Sequence, residues 1–165
     1  MKVSVRSIRL AWSLPLLLAV VAPTAFSTAA HADNNRLNVS VVKMVYILQH
    51  QAGCTNNVQI NPQLQLAAQW HSVDVRNNRA LDGHIGSDGS SPQNRAIAAG
   101  YRGQVQETVA INPALSITSL EVINQWYYSP EQRAVMENCA NTEVGVWSEN
   151  SLDRTVLVAV YGRPG

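Results

Sequence analysis

The chain has 165 residues, 14% of them charged, and a formal net charge of +1 with histidine neutral. The first 32 residues hold Lys2, Arg6 and Arg9 and no acid, so the remaining 133 carry 9 basic against 11 acidic side chains, a net charge of minus 2. With no basic cluster anywhere, this balance argues against nucleic acid and anionic membrane surfaces as partners, and the length suits one domain able to bury roughly two thirds of its unfolded surface.

From the N-terminus, a basic start is followed by an apolar segment from Leu10 to about Ala22 and then by small residues ending in Ala30, His31 and Ala32. This is the pattern of a secretory signal peptide over residues 1–32, with the exported domain at 33–165. The apolar segment contains Pro15 and is too short to span a bilayer comfortably, so the exported chain is expected outside the cell or in its envelope and not embedded in a membrane. Its two cysteines, Cys54 and Cys139, are expected to pair in that oxidising compartment. The bridge would close a long loop, contributing on the order of 4 kcal/mol.

Asp33 and Asn34 are expected to cap a first helix in which Leu37, Val41, Met44, Val45 and Leu48 recur at helical spacing and Gly53 marks the end. Its valines suit a strand as well; its length favours a helix. Asn61 before Pro62 predicts a second helix with an apolar stripe of Leu64, Ala67, Ala68, His71 and Val75. A histidine on such a stripe is more often a packed residue with one satisfied hydrogen bond than a ligand. Ser91 before Pro92 predicts a short third helix to Ala98 that Gly100 ends.

Gln104 to Ala110 alternates like a strand, with Val105, Glu107 and Val109 on the face expected to be buried and Gln104, Gln106 and Thr108 on the other. A carboxylate between two valines must find a partner or become neutral. Ser119 to Tyr127 returns a helical stripe of Leu120, Ile123, Trp126 and Tyr127, and Ser129-Pro130-Glu131-Gln132 restarts a helix, with Gln132 as the glutamine of a capping box. Glu143 to Trp147 alternates, and Thr155 to Tyr161, reading TVLVAVY, is apolar almost throughout, as a central strand covered on both faces would be. Helices among three strands without a βαβ rhythm predict an α+β domain with helices packed on an antiparallel sheet.

The sequence holds no G-x-S-x-G elbow, H-E-x-x-H or Walker loop, and DGHIGSDG lacks the ligand alternation and terminal glutamate of an EF-hand. The glycines and serines before the third helix could offer N–H groups to an anion, but Ser91 capping its own helix explains them more simply. His84 with Glu107 is the more specific combination: a buried glutamate is a candidate for a shifted pKa, and a nearby histidine can share its proton or hold a metal with it.

The order of blocks PQLQLAAQWHSVDVRNN, GHIGSDGSSPQNRAIAAGY, VQETVA, INQWYYSPEQRAVM, TEVGVW and TVLVAVYG resembles the CAP superfamily of cysteine-rich secretory, antigen 5 and pathogenesis-related 1 proteins, closest to its bacterial SCP-domain branch. The resemblance spans about Arg36 to Gly162. It implies a three-layer α-β-α sandwich with a central antiparallel sheet, and a cleft lined by two histidines and one or two glutamates that can hold a divalent metal. His84 matches the first histidine and Glu107 the glutamate of the G-E-N-x-A block. Gln132 stands where bacterial members often carry the second histidine, and the alternative position, near Thr155, offers none.

A catalytic zinc site usually has three protein ligands, so His84 is at most a weak metal candidate and no cofactor is expected beyond weak zinc binding. The resulting expectation is an exported non-enzymatic module binding a lipid, a sterol or a macromolecular partner such as a protein, through a cleft containing His84, Glu107 and Gln132. Two alternatives stand beside it: a metal-assisted hydrolase or protease using Glu107 as base and His84 as ligand or acid, and a domain that recognises a partner by surface loops, with His84 and Glu107 as a structural pair.

Overall fold

The computed structural model describes residues 27–165, so the apolar segment and most of the expected leader lie outside the described residues. Helix α1 (Ser27–Gln51) is already running where the sequence placed its cap. Inside a helix the backbone donors are taken by the ladder, so Asn34 has none left to cap. Its side chain instead donates to the Ser148 carbonyl at 3.2 Å and accepts from Asn150 at 2.8 Å. The expected apolar stripe does face the core, with Val41 and Val45 fully buried and Leu37, Met44 and Leu48 packed beside them.

The starts signalled by proline behave as the sequence suggests, with one exception. Asn61 caps α2 (Pro62–Asn77) by accepting from the Gln63 and Leu64 amides, and Ser91 forms a reciprocal capping box with Asn94 at α3 (Pro92–Ala98). Thr118 and Glu121 form another at α4 (Ser119–Tyr127). The exception is α5 (Pro130–Met136), where Ser129 makes no side-chain capping bond. The box expected between Ser129 and Gln132 is not made, because Gln132 bonds to a strand instead.

Four strands, β1 (Gln59–Ile60), β2 (Gln104–Asn112), β3 (Glu143–Ser151) and β4 (Arg154–Arg163), form one sheet in the order β1-β3-β4-β2. The three long strands are antiparallel, as expected; β1 adds a two-residue parallel edge beside β3, making the sheet mixed. Strand β4 is central and buried from Arg154 to Gly162. Its Val156, Val158 and Val160 meet residues of α2 and α3, while Leu157, Ala159 and Tyr161 meet residues of α1, α4 and α5. Each such side chain contributes about 1.5 to 3 kcal/mol on burial, and the two cores give the three-layer α-β-α sandwich.

Because helices cover both faces, two expected exposures reverse. Thr108, expected on the polar side of β2, is fully buried with its hydroxyl 3.2 Å from that of Tyr161. Leu120, expected on the buried stripe of α4, is 59% exposed, and Val122 occupies the core with Ile123 and Trp126. Cys54 and Cys139 form a disulfide with their Cα atoms 5.2 Å apart, tying the end of α1 to the loop after α5.

One glycine sets the position of the site. A Cβ at Gly145 would overlap the backbone of Leu64 and Gln65, so β3 receives the first turn of α2 at backbone contact. Seven residues, about two turns, further along α2 lies His71.

Candidate functional site

Strand parity places Val105, Glu107, Val109 and Ile111 on the α2/α3 side of the sheet. The Glu107 side chain is completely buried there, and a buried carboxylate requires compensation. Arg95, 6% exposed on α3, provides most of it: one guanidinium nitrogen lies 2.9 Å from Glu107 Oε2 and 3.2 Å from Oε1. The same guanidinium donates to the carbonyls of His84 and Ser90 at 2.9 and 2.8 Å. Arg95 therefore joins the carboxylate to the loop between α2 and α3.

His84 is the second partner. Its Nδ1 donates to Glu107 Oε1 at 3.0 Å while its side chain stays 47% exposed. The hydrogen bond to Glu107 holds the His84 pKa above its usual value, against a smaller opposing effect of burial. His71 approaches from α2, its Nε2 3.6 Å from Glu107 Oε1 and 2.9 Å from the Gly83 carbonyl. A carbonyl only accepts, so Nε2 carries the proton. Burial lowers the His71 pKa, the ring is neutral, and Nδ1 is left as a buried acceptor without a partner.

The loop 83–91 is held by bonds within itself and to Asp74 of α2 and Asn94 of α3. The Ser87 amide and hydroxyl donate to Asp74 at 2.8 and 2.7 Å, the Ser90 amide to Asp88 at 2.8 Å, and the Ser91 amide to Asn94 at 3.0 Å. The Gly86 and Gly89 amides meet backbone carbonyls. Those donors are thus already engaged, which removes the anion-binding alternative for them. Beside this loop opens a cleft of about 500 Å³, walled by Trp70, His71 and Asp74 from α2, Asn94, Arg95 and Ala98 from α3, and the loop serines with Asp88.

Gln132, expected at the cleft, lies on α5, and its carbonyl accepts from the Val109 amide at 3.0 Å. It secures the free edge of β2 two residues from Glu107. Gln93 does the same for the Val105 amide at 3.1 Å.

The model of the cysteine-rich secretory protein family, CAP, matches residues 32–161. The chain belongs to that family. No curated protein matches it. Among solved structures, an outer surface protein from Borrelia burgdorferi shares 18% identity at a TM-score of 0.69, with 81% of this chain and 96% of that one covered. An extracellular SCP-domain protein from Bacillus anthracis shares 15% identity at a TM-score of 0.71, and a cysteine-rich secretory protein from Staphylococcus aureus 13% at 0.59. Each alignment covers 86% of this chain, which spans only 45% and 40% of those two proteins. At such identities the likeness shows a shared CAP fold. No helix among the described residues is long and apolar enough to cross a membrane.

Within this CAP domain the zinc set implied by the resemblance does not fit the residues present. Both Glu107 oxygens face the Arg95 guanidinium, His84 Nδ1 and His71 Nε2 are engaged as donors, and the Gln132 carbonyl is bound to β2. A divalent cation at Glu107 would have to displace a guanidinium from a buried carboxylate. Among the described residues no group of three or more His, Cys, Asp or Glu is placed to hold a metal.

The structure brings His84 and Glu107 together and adds two residues that the sequence reading did not connect to them. His71 is, as expected, a packed histidine with one hydrogen bond, but its closeness to Glu107 depends on how α2 docks. Arg95 carried a usable signal: a carboxylate expected to be buried needs a cation, and a planar guanidinium is well suited to a buried pair.

Proposed function

We propose that this CAP domain is an exported, non-enzymatic binding domain that receives its partner in the cleft beside His71 and Arg95, with Glu107 as the buried anchor of the cleft wall. The observation that carries this reading is the saturation of Glu107 by Arg95 and His84. A general base must reach a substrate proton, and this carboxylate has no free approach. The pair therefore organises the loop that forms one wall of the cleft. Extracellular and outer-surface proteins among the structural neighbours agree with export.

Between the partner classes expected from the sequence, the walls favour a polar or macromolecular partner over a lipid or sterol. Trp70 and Ala98 present apolar side chains there and carbon makes up the greater part of the exposed wall, but charged, amide and hydroxyl groups from Asp74, Asp88, Asn94 and the loop serines stand among it. A lipid tail would desolvate the Asp74 and Asp88 carboxylates, which have no ion-pair partner among the described residues.

Zinc calorimetry and an ester and peptide panel test the proposal, run on the protein and on His84→Ala and Glu107→Ala. The expected result is no zinc-dependent turnover, the same negligible heat for the protein and His84→Ala, and a stability loss of about 3 to 5 kcal/mol in Glu107→Ala, which strands Arg95 without its counter-charge. Turnover abolished by Glu107→Ala, or a zinc affinity that requires His84, would overturn it. Retention of a sterol or fatty acid through purification would reverse the choice of partner.

A further inference from the structure

On the layer of the sandwich opposite the cleft, the outward face of α4 carries a second arrangement, independent of the binding reading above. Glu121, Asn124, Gln125 and Tyr128 follow one another at helical spacing, which puts them on one face of the helix. All four are exposed, while Val122, Ile123 and Trp126 fill the core. A solvated helix face is ordinarily rich in charges; this one has a single charge and ends in a tyrosine that is 80% exposed. Asn112, from the end of β2, stands across from it, and with the four helix residues it lines a hollow of about 400 Å³.

The Tyr128 ring is braced in spite of its exposure. It stands edge-on to Tyr127 with the ring centres 5.7 Å apart. Tyr127 is packed against the core, and the Arg133 guanidinium lies 4.1 Å from its ring centre. Arg133 is in turn tied to Glu137 at 2.8 Å. Because each side chain restrains the next, part of the ordering of the exposed ring precedes any ligand, and binding costs correspondingly less.

The groups around the ring have unused hydrogen-bonding capacity. The Thr118 amide and hydroxyl both donate to Glu121 Oε2, which holds that carboxyl below its usual pKa and leaves Oε1 free to accept. Asn112 donates to the Ser116 carbonyl, so its own carbonyl oxygen is left over. The Asn124 and Gln125 side-chain amides have no hydrogen-bond partner among the described residues. A side-chain amide donates and accepts at once, and so does a hydroxyl. Three amides and one carboxylate around an aromatic face therefore suit a ring with an apolar C–H face and a rim of hydroxyls. A lipid tail would desolvate the carboxylate, and an anion would be repelled by it.

We propose that this hollow is a saccharide-binding site in which a neutral pyranose stacks on Tyr128 and its hydroxyls bond to Asn112, Glu121, Asn124 and Gln125.

The test is a ¹H–¹⁵N titration of the purified protein with maltotriose, cellotriose and tri-N-acetylchitotriose, with cyclohexanol and tetramethylammonium as controls for a merely apolar and a merely cationic ligand. At least one trisaccharide should give saturable shifts at the Asn124 and Gln125 side-chain NH₂ groups and at the Tyr128 amide, and neither control should. Binding should weaken about 10-fold or more in Tyr128→Ala and about 3-fold or more in Asn124→Ala. It should stay within about 3-fold in Tyr128→Phe, which keeps the ring, and be unchanged in Leu152→Ala, a residue as exposed at the distant β3–β4 turn. No saturable shift with any trisaccharide, equal shifts with a control, or equal affinity in Tyr128→Ala and Leu152→Ala would overturn the proposal. The cleft reading stands or falls separately, since none of these residues lines the cleft.

Discussion

His71 and His84 flank one carboxylate and respond to it in opposite ways. Burial lowers the pKa of His71 in spite of Glu107, whereas the hydrogen bond to Glu107 raises that of His84. A raised folded pKa contributes stability that is complete below the unfolded value near 6.5 and disappears as pH rises through the folded value. A lowered one contributes stability that is complete above 6.5 and disappears as pH falls through the folded value. Together the two rings should place a shallow stability maximum near pH 6.5, seen in urea midpoints measured from pH 5 to 8. His84→Ala should flatten the alkaline limb and leave the acid limb. Ring-proton titration should give a pKa above the usual value for His84 and below it for His71; the reverse order would contradict the assignment.

Among the elements, helix α2 determines where the site forms, and Gly145 determines where α2 rests. Gly145→Ala forces a methyl into the Leu64–Gln65 backbone, which cannot yield as a flexible side chain would. The expected result is a loss of about 1 to 3 kcal/mol from overpacking, together with a shift of the His71 and His84 ring signals as α2 lifts. A loss of stability with unmoved rings would show that the docking of α2 does not position the site.

How much of this was legible in the sequence follows from the range of the forces involved. The starts of α2 and α3 are local chemistry, an asparagine or serine before proline, and they sit where the sequence put them. Glu107 was legible as a carboxylate on a buried face because parity along a strand is also local. The bond from Gln132 to the Val109 amide was not. A capping box and an edge-strand contact use the same side-chain atoms, and only the placement of α5 beside β2 decides between them. Strand β1 has two residues and no periodicity to read. The Leu120 exposure has a similar origin, since the direction from which the core approaches α4 is a property of packing. Arg95 was the avoidable omission, because Glu107 on a buried face must find a partner or become neutral, and a guanidinium is one such partner.

For the molecule as a whole, the disulfide links residues 85 positions apart and holds α1 to the far end of the α5 connection. In the chain-entropy description a loop of that length contributes about 4 to 5 kcal/mol, a large share of the 5 to 15 kcal/mol typical of a domain. Cys54→Ala with Cys139→Ala should lower the denaturant midpoint accordingly while leaving the β2–β4 amides protected until global unfolding. An unchanged midpoint would show that the bridge fastens an arrangement already secured by packing.

Strand β4, the core strand common to both helical layers, has a further consequence when the order of synthesis is considered. It follows every other element in the chain, yet β2 and β3 both pair with it and neither core closes without it. While residues 154–163 are still inside the ribosome, β2 and β3 have no strand to join them and α2 has no complete surface to lie against. The preceding residues must therefore remain open until β4 has been made. The sandwich, with its cleft and buried Glu107, assembles only once that final strand has emerged.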